Sequence, residues 1–299
     1  MHKTQLTLSA RDVHKSFGSG PRRAPVLRGV SMEASRGETI FLVGPSGSGK
    51  TTLLSVLGCI LTPDGGSVEV LGREVAKMTP AELTAFRRDN LGFIFQSFNL
   101  FPTLSAQDNV ALALTMRGAS ARAAVRRAGE LLDEVGLWPR RHARPAQMSG
   151  GECQRVAVAR ALAGDPAVVF ADEPTASLDA ENGQTVMGLL TRLVRERGVT
   201  LAVVTHDNRI FPFADRILHL EDGYLTQEWS APHSATRQPP SARAESVRQA
   251  CHPGPRQLVQ LVVDHRQEPR HGVLVSRLRG PEDYTHLAVV RKAGPVGKK

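Results

Sequence analysis

The densest chemistry in the chain lies in one run, Gly44-Pro45-Ser46-Gly47-Ser48-Gly49-Lys50-Thr51. Its glycines let successive backbone N–H groups turn toward one point with no Cβ in the way. Lys50 adds a positive charge and Thr51 a hydroxyl. Such a set suits an anion: Lys50 can reach the β- and γ-phosphates of a nucleotide, and Thr51 can offer its oxygen to Mg²⁺. The spacing matches the phosphate-loop pattern G-x-x-x-x-G-K-[ST], which requires a strand before it and a helix after it. Both are foreshadowed, by the apolar run Thr39–Val43 and the helical run Thr52–Leu57. The helix would add the positive end of its dipole. A glycine turn that binds nothing is the ordinary alternative.

A second constellation is Val168-Val169-Phe170-Ala171-Asp172-Glu173. It sets an Asp at the C-terminal end of an apolar strand, where α/β sheets bind ligands. Asp172 can hold Mg²⁺ through its water shell. Glu173 can orient and deprotonate an attacking water. Alone, the pair would read as a polar strand end. A third is Ser149-Gly150-Gly151-Glu152, a serine and two glycines at a helix start. Helix starts attract anions, although a simple Ser N-cap looks the same. One phosphate loop already holds one triphosphate, so a second such end suggests another nucleotide, shared with a second copy of the domain.

The elements that must position these residues follow an α/β pattern. Leu6–Ala10 alternates as an antiparallel strand, and a Gly/Pro/Arg loop runs to Pro25 before a strand over Val26–Met32. The unbroken apolar run before the phosphate loop suits a strand covered on both faces. Thr62–Gly66 is a turn, Ser67–Gly72 an edge strand, and Thr79 with Glu82 forms a capping box ahead of a short helix opened by Pro80. Leu91–Gln96 reads as a buried strand. Ser105 to Gly136 is largely helical, an insertion forming a small helical subdomain over about 97–163. A helix from Ser149 to about Ala163, a strand over Ala167–Glu173 and a helix over about Glu181–Arg197 come next. A strand over Val199–His206 and a hairpin about Glu221-Asp222-Gly223 complete the pattern.

Composition bounds the rest. The 299 residues are 41% hydrophobic, enough to bury a sizeable core. No run reaches the ~18 apolar residues of a membrane helix, and Met1–Gln5 lacks the apolar core of a secretory signal. The expectation is a cytoplasmic protein that meets a membrane through a partner. Cys59, Cys153 and Cys251 form no C-x-x-C pair and suit reduced thiols. The net charge is +9, but residues from Ala231 onward carry 12 Lys+Arg against 5 Asp+Glu, and the first 230 carry 26 against 24. A nearly neutral body argues against a nucleic-acid-binding face. Ala231–Pro255 is rich in Pro, Ser, Ala and Arg and reads as linker. Candidate strands at Gln257–Val263 and Gly272–Val275 stand isolated. The expected organisation is one domain over 1–230 and a basic, largely disordered extension over 231–299, with no assigned function. Its charge could be drawn to an anionic membrane face.

With these residues in order, the chain resembles the ATP-binding subunit of an ABC transporter over about residues 5 to 228. Gly44 to Thr51 matches the Walker A loop, Gln96 the Q-loop, Ser149–Glu152 the signature, and Val168–Asp172 the Walker B strand. Glu173, then Ser177-Leu178-Asp179 as the D-loop and His206 as the switch histidine, complete the set. Met148 and Cys153 depart from the commoner Leu and Gln. The first swap conserves volume, and the second follows the contact residues and reads as a buried thiol. The resemblance implies a P-loop NTPase with a RecA-like core, an antiparallel β subdomain and the inserted helical one. It implies ATP and Mg²⁺ as cofactors. It further implies a head-to-tail homodimer with two ATP molecules between Walker A of one copy and the signature of the other. Gln96 would sense the γ-phosphate and ligate Mg²⁺ with Thr51 and Asp172, His206 would contact the γ-phosphate, and Phe17 would stack on adenine. Thr52 and Asp179 count among the nucleotide-binding residues.

Phe95–Ser105 and Val204–Gly223 resemble the small subunits of tripartite exporters and lipoprotein-releasing systems, nearest the glycolipid-exporter branch that works with a membrane-fusion protein. The expected function is an ATPase that powers a separate membrane permease from the cytoplasmic face of the inner membrane, with a periplasmic adaptor joined through the permease. The apolar residues after Gln96 could receive a short helix of that permease or pack internally. A regulatory ABC-type ATPase that tethers a partner without moving cargo shares every motif. A nucleic-acid-processing ATPase would need coiled-coil or zinc insertions, which the sequence lacks, and a P-loop kinase leaves Ser149–Gly151 and His206 without a role.

Overall fold

The computed structural model describes residues 5–230, together with two short strands at 274–278 and 286–290. In chain order the elements are β1 (Leu6–Phe17), β2 (Ala24–Ser35), β3 (Thr39–Val43), α1 (Lys50–Leu57), β4 (Gly65–Val70), β5 (Arg73–Glu74), α2 (Pro80–Asn90) and β6 (Leu91–Ile94). The helical insertion supplies α3 (Ala106–Thr115), α4 (Ala121–Glu134) and α5 (Gly150–Leu162). Then follow β7 (Val168–Asp172), α6 (Ala180–Glu196), β8 (Thr200–Val204), β9 (Arg216–Glu221) and β10 (Tyr224–Ser230). β11 (Leu274–Leu278) and β12 (His286–Val290) pair antiparallel with each other. β11 overlaps the second candidate strand of the extension; the first, Gln257–Val263, lies outside the described residues.

A six-stranded sheet in the order β10-β9-β3-β8-β7-β6 forms the centre. Its strands are parallel except β10, which folds back on β9. Alternate residues of β3, β7 and β8 enter two different cores. Ile40, Leu42, Val168, Phe170, Ala202 and Val204 face α1 and the antiparallel sheet. Phe41, Val43, Val169, Ala171, Leu201 and Val203 face α5, α6 and the helical insertion. Burial on both faces explains the continuous apolar runs. The antiparallel sheet has the order β2-β1-β4-β5.

The differences from the sequence reading are local. β1 continues to Phe17 because the break in alternation at Arg11-Asp12 is a bulge: Asp12 is left-handed (φ 50°) and the register shifts between Ala10 and Val13. β2 begins at Ala24 and includes Pro25, which an outer strand of the sheet tolerates. β4 is not a free edge at its end, since β5 pairs with Glu69 and Val70. β6 stops at Ile94 and lies at the rim of the central sheet, and β8 stops at Val204, leaving His206 beyond the strand. The hairpin between β9 and β10 turns on Asp222 (φ 48°) and Gly223 (φ 82°), the pair of left-handed residues a tight I′ turn needs.

Candidate functional site

The sheet order sets β3, β8, β7 and β6 side by side. Their C-terminal ends lead into the phosphate loop, His206, Asp172-Glu173 and Gln96, so four of the predicted stretches meet along one sheet edge. This is the edge at which open α/β sheets take ligands.

The loop at β3 has the backbone an anion cradle needs. Gly44 (φ 145°), Gly47 (φ 80°) and Gly49 (φ 101°) all adopt conformations that disfavour a Cβ. A Cβ on Gly44 would stand 2.0 Å from Leu220 O, and one on Gly49 2.9 Å from Val26 O. Gly49 caps α1 with no side-chain hydrogen bond, which leaves the first N–H groups of that helix to a ligand. The Ser48 hydroxyl is buried with no partner among the described residues. Pro45, Ser46 and Gly47 lie exposed at the loop's tip, and Thr52 is half-buried behind it. Lys50 is buried, 8% exposed, and its Nζ donates to Gly44 O at 2.9 Å and Pro45 O at 2.7 Å. Burial lowers its pKa, while Glu173 and Asp172 pull it back up.

Those two carboxylates stand next to the loop. Thr51 Oγ1 donates to Asp172 Oδ1 at 3.2 Å, joining the start of α1 to the end of β7. Burial raises the pKa of Asp172, opposed by the Thr51 hydrogen bond. Glu173 is left-handed (φ 48°), its N–H bound to Val204 O at 2.9 Å. A strained residue with a functional side chain is where active sites store strain. Its Oε1 lies 2.7 Å from His206 Nδ1, and its Oε2 is buried with no partner among the described residues. The imidazole is 71% exposed and the carboxylate 16%. His206 therefore reaches Glu173 first, a contact the spacing did not announce.

Gln96 is exposed, and its backbone carbonyl accepts from Ser177 Oγ at 3.1 Å. Phe17 ends β1 at 44% exposure, with Lys15 Nζ 5.8 Å from its ring centre, so it is a surface ring and not a core one. Of the apolar residues after Gln96, Leu100 packs against the core while Phe101 is 52% exposed.

Ser149, Gly150 and Gly151 stand at the start of α5. Ser149 and Glu152 form a reciprocal capping box, with Ser149 N–H to Glu152 Oε2 at 2.8 Å and Glu152 N–H to Ser149 Oγ at 3.2 Å. The atoms nearest a Cβ placed on Gly150 belong to Leu178, Ser177 and Phe98, and those nearest Gly151 to Asn182. This helix end therefore neighbours the Ser177–Asp179 turn. Asp179 caps α6, and its two carboxylate oxygens accept from Asn182 N–H at 2.9 Å and Asn182 Nδ2 at 2.6 Å. Its pKa is lowered by those bonds. Its side chain serves its own helix, a role signalled by an acidic residue just ahead of a helical run.

Two residues went unassigned in the sequence. Gln154, wholly buried on α5, donates to Pro174 O at 2.7 Å, just past Glu173. Thr175 donates to Asp207 Oδ2 at 3.3 Å, tying the segment after Glu173 to the one after His206. Cys153 is buried as expected, and burial raises its pKa.

Residues 27–176 match the family described as ABC transporter. The chain is 46% identical over 214 residues to an uncharacterized ABC transporter ATP-binding protein of Thermotoga maritima, covering 72% of this chain and 91% of that one. It is 45% identical over 228 residues to the macrolide export ATP-binding/permease protein MacB 1 of Aeromonas hydrophila, covering 76% of this chain and 35% of that one. The chain thus spans about a third of the macrolide-export relatives it matches. Among solved structures, the ATP-binding cassette MJ0796, dimeric in a post-hydrolysis state with ADP and Pi, superposes with a TM-score of 0.69. It is 40% identical, and the match covers 75% of this chain and 98% of that one.

Proposed function

Because this chain belongs to the ABC transporter family, as one of its ATP-hydrolysing cassettes, we propose that it powers a membrane permease carried on another polypeptide. One observation carries the chemistry. Glu173 has one carboxylate oxygen held by His206 and the other buried with no partner among the described residues, beside the phosphate loop. That unpaired acceptor is left to be satisfied when the carboxylate turns toward the loop, where Glu173 orients water for in-line attack and accepts its proton. The left-handed backbone and the His206 contact fix the starting direction of that carboxylate. Lys50 exchanges its two loop carbonyls for phosphate oxygens and neutralises charge there. Phe17, exposed beside Lys15, offers a face for the adenine ring.

The donor chemistry near the loop fits Mg²⁺. Thr51 Oγ1 and Asp172 Oδ1 are oxygens 3.2 Å apart, and Gln96 adds an amide oxygen from the neighbouring strand end. Thr51, Asp172 and Gln96 would hold the ion, with phosphate and water oxygens filling the rest of its shell, as Mg²⁺ prefers. Bound there, the ion would screen the charge on the phosphates.

A second copy completes the site. The start of α5 borders the Ser177–Asp179 turn, and its exposed Ser149 and Gly150 are free to meet the phosphates on a partner's loop. The dimeric relative, solved with ADP and Pi, supports this arrangement. The relatives named for macrolide export support an exporter, and the T. maritima relative supports a cassette carried apart from its permease. No helix among the described residues is long and apolar enough to cross a membrane. We place the protein on the cytoplasmic face of the inner membrane through its permease, with a periplasmic adaptor as a further partner. The cassette occupies residues 1–230 and the basic extension follows it.

Glu173→Gln tests the chemistry. ATP should still bind, while turnover should drop by about 10²- to 10⁴-fold, the range for loss of a general base. Wild-type turnover in that variant removes Glu173 from the role. Cargo moved by vesicles holding the cassette and its permease tests transport.

A further inference from the structure

We propose that Arg160 is a positioning residue: it fastens the loop that carries Gln96 onto α5, so that Gln96 and the Ser149 end of that helix move as one unit. The inference rests on the role proposed above for Gln96. Arg160 lies near the C-terminal end of α5, and its guanidinium donates to two successive backbone carbonyls, Asn99 O at 2.5 Å and Phe98 O at 2.8 Å. Burial alone lowers its pKa, with no opposing charge among the described residues. A partly buried cation without a counter-ion is costly unless its donors are used. Here they are used on backbone.

The carbonyls it holds are unusual. Phe98 (φ 60°) and Asn99 (φ 49°) are both left-handed, a conformation that two adjacent residues with a Cβ seldom share. Their N–H groups bond within the loop, to Phe95 O and Ser97 O, and their carbonyls are held from outside by the planar fork of Arg160. The same loop also touches the other end of the helix. The Phe98 ring lies 3.7 Å from where a Cβ on Gly150 would stand. At ~1.5 Å per residue, Ser149 and Arg160 are about 16 Å apart along the axis. Phe98 thus has its ring beside the signature end of α5 and its carbonyl on the guanidinium of Arg160. Ser177 adds a third fastening, on Gln96 O at 3.1 Å. An arginine that served only to fill space would need none of this alignment.

Arg160→Lys in the full chain keeps the charge and most of the stem but gives up the paired fork. Hydrogen exchange should show amides 97–104 exchanging at least about tenfold faster, with those of α5 unchanged, the mark of local opening. ATP affinity should hold within about twofold while kcat falls roughly tenfold, because a misplaced group costs turnover before it costs binding. In a Gln96→Ala background Arg160→Lys should lower kcat no further, since residues acting through one another are not additive. Unchanged exchange over 97–104, or a loss of kcat that adds to that of Gln96→Ala, overturns the proposal. If Gln96→Ala itself turns over like wild type, the assignment of Gln96 fails, and the exchange experiment still decides for Arg160. Ser177→Ala, at an exposed position, loosens the same loop without touching the helix interior and should speed exchange over 97–99. No change there in either variant also overturns the proposal.

Discussion

Two helices in this molecule start on glycine and serine beside an exposed rim, and they are finished differently. The N-terminus of α1 follows a fully buried strand, and its cap residue, Gly49, supplies no side-chain bond. Its serine hydroxyl, Ser48 Oγ, is buried and unpaired among the described residues. The N-terminus of α5 is exposed and closes on itself, with Ser149 and Glu152 exchanging two hydrogen bonds. Both present helix-end N–H groups to an anion. The first is a socket held open by the fold. The second is a stable helix start whose Gly150 is exposed and ready to be brought to a ligand. On the shared-site reading proposed above, one copy contributes one half of each of two sites, and the rigid half is the one that must grip the nucleotide.

Lys50→Ala should break the first end most severely. Its ammonium is a buried positive charge in the socket, and charged hydrogen bonds are worth about 1.5–3 kcal/mol each. Nucleotide affinity should fall by at least about tenfold, read by titration with a fluorescent nucleotide. An unchanged affinity would mean that the loop's N–H groups suffice. A glycine pair sharpens the contrast. Gly49→Ala forces a Cβ toward Val26 O, 2.9 Å away, at φ 101° and should destabilise the fold by about 1–3 kcal/mol. Gly150→Ala meets only ordinary contact, 3.4 Å from Leu178 Cδ2, and should leave stability unchanged or raise it by up to ~1 kcal/mol. Denaturant midpoints of the two variants test both, and equal effects would contradict the distinction.

The smallest effect concerns acid. Asp64 binds Lys15 Nζ at 2.9 Å, the Ser16 N–H at 2.8 Å and Arg23 Nη2 at 3.2 Å, and these contacts, the Lys15 bond first, lower its pKa to about 2. A carboxylate held below its usual value of about 3.9 stabilises the fold above that pH and loses the contribution as pH falls toward about 2. Asp64→Asn should therefore melt below wild type at neutral pH, and the difference should vanish as pH falls from about 4 to about 2. A gap that persists at pH 2 would place the effect in packing. Because Asp64 fastens the end of β1, the same variant should loosen Phe17.

Much of this was readable along the chain, for a physical reason. A phosphate loop depends on residue types at fixed local spacing, and a strand buried on both faces is largely apolar, as Ile40–Val43 and Val168–Ala171 are. The capping box at Thr79 and the serine cap at Ser149 are equally local. What escaped depends on distant partners or on backbone exceptions. The bulge at Asp12 hid the second half of β1, since alternation fails where a left-handed residue intervenes. His206 reaching Glu173 needs β7 and β8 to be neighbours, which spacing does not encode. Arg160 left no signal, because its partners are backbone carbonyls 61 and 62 residues away and any residue could carry them.

The central claim, that each site is built from the α1 end of one copy and the α5 end of another, is tested most directly by mixing two inactive variants. Lys50→Ala spoils the first half, and Gly150→Asp sets a negative charge on the second at a position with room for a side chain. In a head-to-tail pair of the two, one site carries both lesions and the other carries none. ATP turnover should therefore be absent from each variant alone and return on mixing. A mixture as inactive as its components would contradict the shared site.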